Sequence, residues 1–327
     1  RTQKEASRQD STSSSTDQKV RMIVHFGIEN IVAEWPSSTV VIGTFDGVHL
    51  GHRYLVESAV AMARERLQPC VIVTFDRHPL SVLAPDRVPP ALGTLEQNVI
   101  ALRSCGASAG VILAFDAVLS RTSATQFFDQ ILIGALKADQ VVVGHDFAFG
   151  HQREGTPEWL SARVETHVME PFLVEGHRVS SSLIRDLISA GDVDRAAVFL
   201  GRPFALAGVV IKGQQLGRTL GYPTVNLARA SASVLPLDGV YAGYCKTPLG
   251  TFAAGISIGT RPAVQGTHRT IEAYLLDYPG DSLYSAPIQM FFCKRLRGEE
   301  NFPSLDALKE QMALDIQRVR ELSVLSG

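Results

Sequence analysis

The sequence predicts an α/β chain in two parts: a parallel, doubly wound sheet over residues 20–189 and a small β-barrel with a C-terminal helix over residues 204–327, joined through residues 190–203. Three observations carry this reading. A chain of 327 residues exceeds the ~100–200 residues of one ordinary domain. Up to about Ser189, short apolar runs alternate with amphipathic segments, as strands joined by crossover helices require. After Gly201 the pattern changes to closely spaced strand-like runs punctuated by Gly and Pro.

Arg1 to Lys19 is polar and rich in Ser and Thr, with no apolar periodicity to offset the entropy of ordering, and reads as a flexible tail. It begins with Arg and not with Met, which reads as a processed or an artificial start. Thr39–Gly43, Pro69–Phe75, Gly110–Phe115 and Gln140–Gly144 are expected as strands. Between them, Tyr54–Arg66 gathers Leu55, Ala59 and Met62 on one helical face, and Ala124–Leu136 gathers Phe127, Phe128, Ile131 and Leu132. In such a sheet the ligand crevice lies at the carboxyl ends of the strands. Leu183–Leu200 reads as two short helices broken at Gly191. The barrel strands are expected at Phe204–Lys212, Gly239–Lys246, Thr251–Ile258, Thr270–Asp277 and Pro287–Lys294. The last helix is capped by Ser304, carries Asp306 in its first turn, and presents a stripe of Leu305, Leu308, Met312, Ile316 and Val319.

Composition narrows the function. With 45% hydrophobic and 20% charged residues the chain is that of a soluble globular protein. No apolar run approaches the ~18 residues of a spanning helix, and the longest, Val111–Phe115, stops at Asp116. A net charge of −2 with a pI near 6.5 argues against a general attraction to nucleic acid, so groups that bind phosphate must be local. Neither a nucleic-acid nor a membrane partner is expected. Cys70, Cys105, Cys245 and Cys293 lie far apart without the paired spacings of zinc or redox sites, which points to buried free thiols in a reducing, cytoplasmic setting. Oligomeric state is not legible.

The strongest local signal is Gly43-Thr44-Phe45-Asp46-Gly47-Val48-His49-Leu50-Gly51-His52, which follows a strand and opens a helix. Gly43 and Gly47 permit unusual dihedrals, and the helix N-terminus offers free N–H groups and partial positive charge to an anion. His49 and His52, three apart, can both face a bound phosphate as hydrogen-bond donors. A His-x-x-His is also half of a zinc site, for which His78 is the available third ligand, although His78 reads equally as a turn residue before Pro79. Ser180-Ser181-Ser182 is at minimum a helix cap.

The second half holds Gly213-Gln214-Gln215-Leu216-Gly217-Arg218-Thr219-Leu220-Gly221-Tyr222-Pro223-Thr224-Val225-Asn226, and the chain has no P-loop. Alternate residues of an extended segment point the same way, so Thr224 and Asn226 can share one Mg²⁺.

The first run is similar to the HxGH signature of nucleotidyltransferases, and its longer form Gly-x-Phe-Asp-Gly-x-His-x-Gly-His resembles the bacterial bifunctional riboflavin kinase/FAD synthetase family. Thr74-Phe75 with His78-Pro79, Val143–Gly150 and Val179–Arg185 extend the resemblance in order through the first half. It implies a Rossmann-like nucleotidyltransferase domain that adenylylates FMN to FAD, with ATP as co-substrate and pyrophosphate released. Gly43, Phe45, Asp46, Gly47, His49 and His52 would then line the ATP phosphates, Ser181, Ser182 and Arg185 would bind them, and His78 and Asp146 would lie near flavin and nucleotide. Because the FMN phosphate is already ionised, attack on the α-phosphorus needs positioning and charge stabilisation, with Mg²⁺ held chiefly by phosphates, rather than a base.

Gly-Arg-x-Leu-Gly-x-Pro-Thr-x-Asn in turn resembles the signature of riboflavin kinases, followed by Asp238–Gly243 and Glu272–Asp277. The resemblance implies phosphorylation of riboflavin to FMN, with Gly213, Gly217, Arg218, Gly221, Pro223, Thr224, Asn226 and Tyr241 around ATP and flavin. The 5′-hydroxyl of riboflavin carries a proton that must leave, and Glu272 is the candidate base. Alternation sends Ile271, Ala273 and Leu275 to one face and Glu272, Tyr274 and Leu276 to the other, although a solvent-facing strand charge has the same pattern. One departure stands out: Pro262-Ala263-Val264 replaces the family's Pro-Thr-Phe run, which bears on how the flavin is gripped.

Overall fold

The computed structural model describes residues 22–29, 31, 35–213, 221–263, 266–280 and 282–324. The expected tail, Gly217, Arg218 and Val264 lie outside these. The first part is a six-stranded, wholly parallel sheet of order β1-β4-β3-β2-β5-β6. Its strands are β1 (Ile23–Phe26), β2 (Ser38–Ile42), β3 (Cys70–Phe75), β4 (Ala109–Leu113), β5 (Ala138–Gly144) and β6 (Glu165–Met169). Helices cover both faces, so the central strands read as near-continuous apolar runs and alternate residues face two different cores. Val41, Ile72 and Val142 pack with Leu55, Val56 and Ala59 of helix α1 (Leu50–Glu65). Val40, Val71 and Val143 pack with Phe127, Phe128 and Leu132 on the other face.

The segment expected as one α-helix over Ala124–Leu136 is α-helical only for Ala124–Phe127 and continues as a π-helix over Phe128–Ala135. The widened turns need Gly134, where a Cβ would lie 2.8 Å from the Asp129 carbonyl oxygen. The apolar stripe survives, since Phe127, Phe128, Ile131 and Leu132 are all buried. A short hairpin, β7 (Leu173–Val174) with β8 (His177–Arg178), leads into helices Ser181–Ser189 and Val193–Leu200. The break between these helices falls at Gly191, whose φ of +82° suits only glycine at low cost.

The second part is a closed antiparallel barrel of order β10-β13-β12-β11-β14-β9. Its strands are β9 (Phe204–Ile211), β10 (Thr224–Arg229), β11 (Gly239–Thr247), β12 (Gly250–Ala263), β13 (Gly266–Leu275) and β14 (Pro287–Arg297). Leu206, Tyr241, Ile256, Ile271, Ala273 and Phe292 fill its interior. Strands β12 and β13 run further than expected, their hairpin holding register out to Ala263 opposite Gly266. The last helix, Leu305–Val324, lies outside the barrel. The Ser304 hydroxyl accepts from the Ala307 N–H at 3.1 Å, as a cap should. Val319 is buried against Ala242 and Leu276. Leu305 is a correction to the expected stripe: it is 61% exposed in the first turn.

The two parts also meet away from the chain that connects them. The Ala91 N–H donates to the Ala232 carbonyl at 3.1 Å, and the Val234 N–H donates to the Ala91 carbonyl at 2.9 Å. Leu92 thereby joins the core cluster that continues into the barrel.

Candidate active sites

Strand β2 is the middle of the sheet, with β3 on one side and β5 on the other, so the loop leaving its carboxyl end stands at the point where strand order reverses. That loop is Gly43–His49. Gly47 has φ +78° and a Cβ there would lie 2.7 Å from that of Leu92, so both backbone and space demand glycine. Val48 follows at φ +41°. The Gly47 N–H donates to Asn98 Oδ1 at 3.0 Å.

His49 caps helix α1 by accepting the His52 N–H at its Nδ1, 3.2 Å away. With Nδ1 an acceptor, the proton of the neutral ring sits on Nε2, a ready donor. Burial, then the charge of Arg202, brings the His49 pKa down to about 3. His52 stacks on it at 3.6 Å, and burial followed by His49 itself holds His52 well below the usual histidine range. The pair is therefore neutral near pH 7, and what it can offer an anion is hydrogen-bond donors and not fixed charge. Gly51 leaves room for this arrangement, since a Cβ would sit 3.3 Å from the His49 ring.

Two chambers flank the loop and share Thr44 and Phe45 as a common wall. The smaller, about 300 Å³, is lined by Gly43, His49, His52, Asp146, Arg178 and Ser181 among others. The larger, about 1230 Å³, takes in Asp46, Thr74 and His78 and is closed on its far side by barrel residues such as Gly208, Ala230 and Gln289. His78 and Asp146, expected together, thus belong to different chambers. His78 Nδ1 accepts the Leu80 N–H at 3.1 Å and starts a short helix, so it does not complete a zinc site with His49 and His52. Asp146 pairs with Arg178 at 2.6 Å; burial opposes its ionisation, but Arg178 holds its carboxyl below the usual range.

The serines divide. Ser180 caps its helix by accepting the Leu183 N–H at 3.3 Å, Ser181 reaches the Asp46 carbonyl at 3.3 Å and faces the small chamber, and Ser182 is exposed. Arg185 is engaged elsewhere: it pairs with Asp46 at 2.6 Å and donates to the Pro90 carbonyl at 2.7 Å. Asp46 also accepts the Leu92 N–H at 3.0 Å, so Asp46 and Arg185 together pin the segment that bonds to the barrel. Arg178, Asn98 and Arg202 escaped sequence reading. Arg202 donates to the carbonyls of Gly47 at 2.5 Å, Val48 at 3.1 Å and Leu200 at 3.3 Å, an arrangement without a sequence signature because its partners are backbone atoms.

On the barrel, β10 pairs with β13 so that Asn226 stands opposite Glu272 and Thr224 opposite Tyr274. Ile271, Ala273 and Leu275 point into the core, leaving Glu272 half-buried on the outer wall. The Thr224 hydroxyl donates to Glu272 Oε2 at 3.1 Å. Gly213 lies close beside them: a Cβ there would come 2.4 Å from Asn226 Nδ2 and would displace that amide. Gly221, at φ +87°, turns the chain toward Pro223 and β10, and Tyr222 meets Tyr274 edge-on at 5.4 Å. Tyr241 is a correction. Its side chain is 0% exposed, packs edge-on against Phe292, and gives its hydroxyl to the Leu237 carbonyl, so it belongs to the core and not to a ligand site.

Residues 31–183 match the family described as FAD synthetase, and residues 200–323 match the family described as riboflavin kinase. A bifunctional riboflavin kinase/FMN adenylyltransferase of Escherichia coli (strain K12) is 35% identical over 305 residues, covering 90% of this chain and 96% of that protein. One of Bacillus subtilis (strain 168) is 33% identical over 295 residues, covering 88% and 93%. A solved structure named as a macrolide-efflux protein from Streptococcus pneumoniae superposes with a TM-score of 0.83 at 30% identity, covering 91% of this chain and 99% of that one.

Proposed function

We infer the chemistry of each part from one premise: this chain belongs to the bifunctional riboflavin kinase/FMN adenylyltransferase family. It phosphorylates riboflavin to FMN and adenylylates FMN to FAD, the barrel performing the first reaction and the sheet domain the second.

The observation that carries the adenylyl-transfer site is the pair of chambers meeting at Thr44 and Phe45. ATP belongs in the small one, where the N-terminus of α1, His49, His52, Ser181 and Arg178 converge on its phosphates. FMN belongs in the large one, between sheet and barrel, with its phosphate toward the shared wall. An FMN phosphate oxygen attacks the α-phosphorus, a new P–O bond forms, and the bond to pyrophosphate breaks. Neutral His49 and His52 donate to oxygens whose charge grows, so no proton acceptor is needed.

Riboflavin phosphorylation needs one, and that role is assigned to Glu272. Its carboxylate takes the 5′-hydroxyl proton as that oxygen attacks the γ-phosphorus of a second ATP and ADP leaves. The Thr224 hydroxyl, pointing at Glu272, keeps the carboxylate oriented. The Thr224 hydroxyl and Asn226 carbonyl are hard oxygen donors on one face, which fits a Mg²⁺ shared with ATP phosphates. Among the described residues no group of three His, Cys, Asp or Glu forms a metal cage, in keeping with a cation held largely by its nucleotide. When bound, Mg²⁺ neutralises phosphate charge. The four free cysteines support a cytoplasmic setting.

The test is incubation with riboflavin and Mg-ATP followed by chromatography. Appearance of FMN and then FAD is expected; FAD from supplied FMN without any FMN from riboflavin would leave the barrel without a kinase role.

A further inference from the structure

His49 closes a left-handed turn, with Gly47 at φ +78°, open to glycine, and Val48 at φ +41°, unfavourable for a β-branched residue. What grips that turn comes from residue 202, in the connection to the barrel. One guanidinium plane spans three carbonyls, those of Gly47 at 2.5 Å, Val48 at 3.1 Å and Leu200 at 3.3 Å. Only a rigid planar fork reaches acceptors set apart in this way; an ammonium point charge does not. The residue before it packs closely on Leu50, the neighbour of His49 in the chain. Gly201 has φ +72°, and a Cβ there would lie 2.6 Å from Leu50 Cδ2 at the first residue of α1.

We propose that Arg202 is a positioning residue for adenylyl transfer: from the interdomain connection it fixes the Gly47-Val48 backbone and so aims the His49 imidazole at the ATP phosphates. The proposal rests on the assignment of His49 to ATP made above. A side chain that needs to donate through Nε2 must hold its ring to within a fraction of an ångström, and the ring can rotate only as far as the turn beneath it permits. Arg202 also adds to the cationic surroundings of His49. Arg185, Arg178 and Arg202 all disfavour its protonation, with His52 stacked on its face, after burial as the largest cause. Arg202 therefore keeps His49 both aimed and neutral.

Arg202→Lys retains the charge and loses the fork; Arg202→Gln loses both. Each is assayed for FAD formation from FMN and ATP, for riboflavin phosphorylation in the same preparation, and by NMR for the titration of the His49 ring, with His49→Ala alongside. In both Arg202 variants kcat for FAD formation should fall on the order of 10²-fold, the cost of misplacement by about an ångström, with KM little changed and riboflavin phosphorylation intact. The His49 ring should titrate at a higher pH in Arg202→Gln than in the wild type and stay put in Arg202→Lys. Wild-type kcat in both variants, while His49→Ala has lost FAD formation, overturns the proposal. So does a parallel loss of riboflavin phosphorylation, which would mark Arg202 as a general structural residue. If His49→Ala itself retains FAD formation, the assignment of His49 to ATP fails instead, and the proposal with it.

Discussion

The sheet domain and the barrel both handle ATP, yet they present it with opposite kinds of group. At the carboxyl end of β2 the groups proposed to meet ATP are N–H donors, and the two histidines among them are held neutral by burial, with Arg202 adding at His49 and His49 adding at His52. On the barrel wall the groups proposed for the kinase reaction are oxygens, a carboxylate beside a hydroxyl and an amide. The difference follows from the nucleophile. A phosphate arrives without a proton, so the site need only receive negative charge; an alcohol arrives with one, so the site must take it away. Placement follows the same logic, since donors at a helix start are supplied by buried backbone, whereas a base has to stand on a wall that substrate can reach.

Separating the two chemistries is the most direct way to break this contrast. Glu272→Gln keeps shape and removes the proton acceptor, so FMN formation should fall about 10²–10⁴-fold while FAD formation from added FMN persists. His49→Ala with His52→Ala should do the reverse, with FMN accumulating. Loss of both activities in either variant, at unchanged melting temperature, would mean the sites are not independent. A smaller effect is expected from Gly213→Ala, whose Cβ would fall 2.4 Å from the Asn226 amide. Displacing that amide should lower riboflavin phosphorylation by roughly 10–100-fold and spare FAD formation. Steady-state rates for the two reactions on one preparation decide it.

The neutrality of His49 has its own signature in acid. Its folded pKa of about 3 lies below the ordinary 6.5. Between those values the unfolded chain binds a proton that the folded chain refuses, so the stabilisation is complete above about pH 6.5 and drains away as pH falls toward 3. His49→Gln should therefore lose melting temperature less steeply than the wild type between about pH 6.5 and 5. An identical slope would show that His49 titrates normally. The smallest change concerns the Pro262-Ala263-Val264 departure in the sequence. Putting Thr and Phe at Ala263 and Val264 should lower the riboflavin KM a few-fold with kcat unmoved, because Glu272 lies far back along the strand, paired with Ser257.

Much of this contrast could be read from the chain alone, because both constellations are local. Gly43–His52 and Thr224–Asn226 each place their groups by spacing along one turn or strand, and strand alternation put Glu272 and Ile271 on opposite faces. Alternation also has a limit: it tells which residues share a face and not which face is the core, and the resemblance that put Tyr241 near ligand did not carry its burial. Strands β1 and β6 escaped notice because edge strands bury less and need no continuous apolar run; Glu165–Met169 is mostly polar or exposed. Arg185 shows a different limit. Its proximity to the serines is written in the helix, but its pairing with Asp46, 139 positions away, is decided by the fold. Arg202 and the Ala91 bridge were illegible for the same reason, since their partners are backbone atoms of distant segments.

The wall of Thr44 and Phe45 between the two chambers has a kinetic consequence. On the proposed placement of ATP and FMN, the reaction joins the occupant of one chamber to the occupant of the other, so the product is a single molecule moored at both ends. Each end then holds the other at high effective concentration, and a momentary release at one chamber is followed by recapture before the second lets go. FAD should thus dwell longer than either substrate, and departure rather than bond formation should set the pace at which the sheet domain turns over.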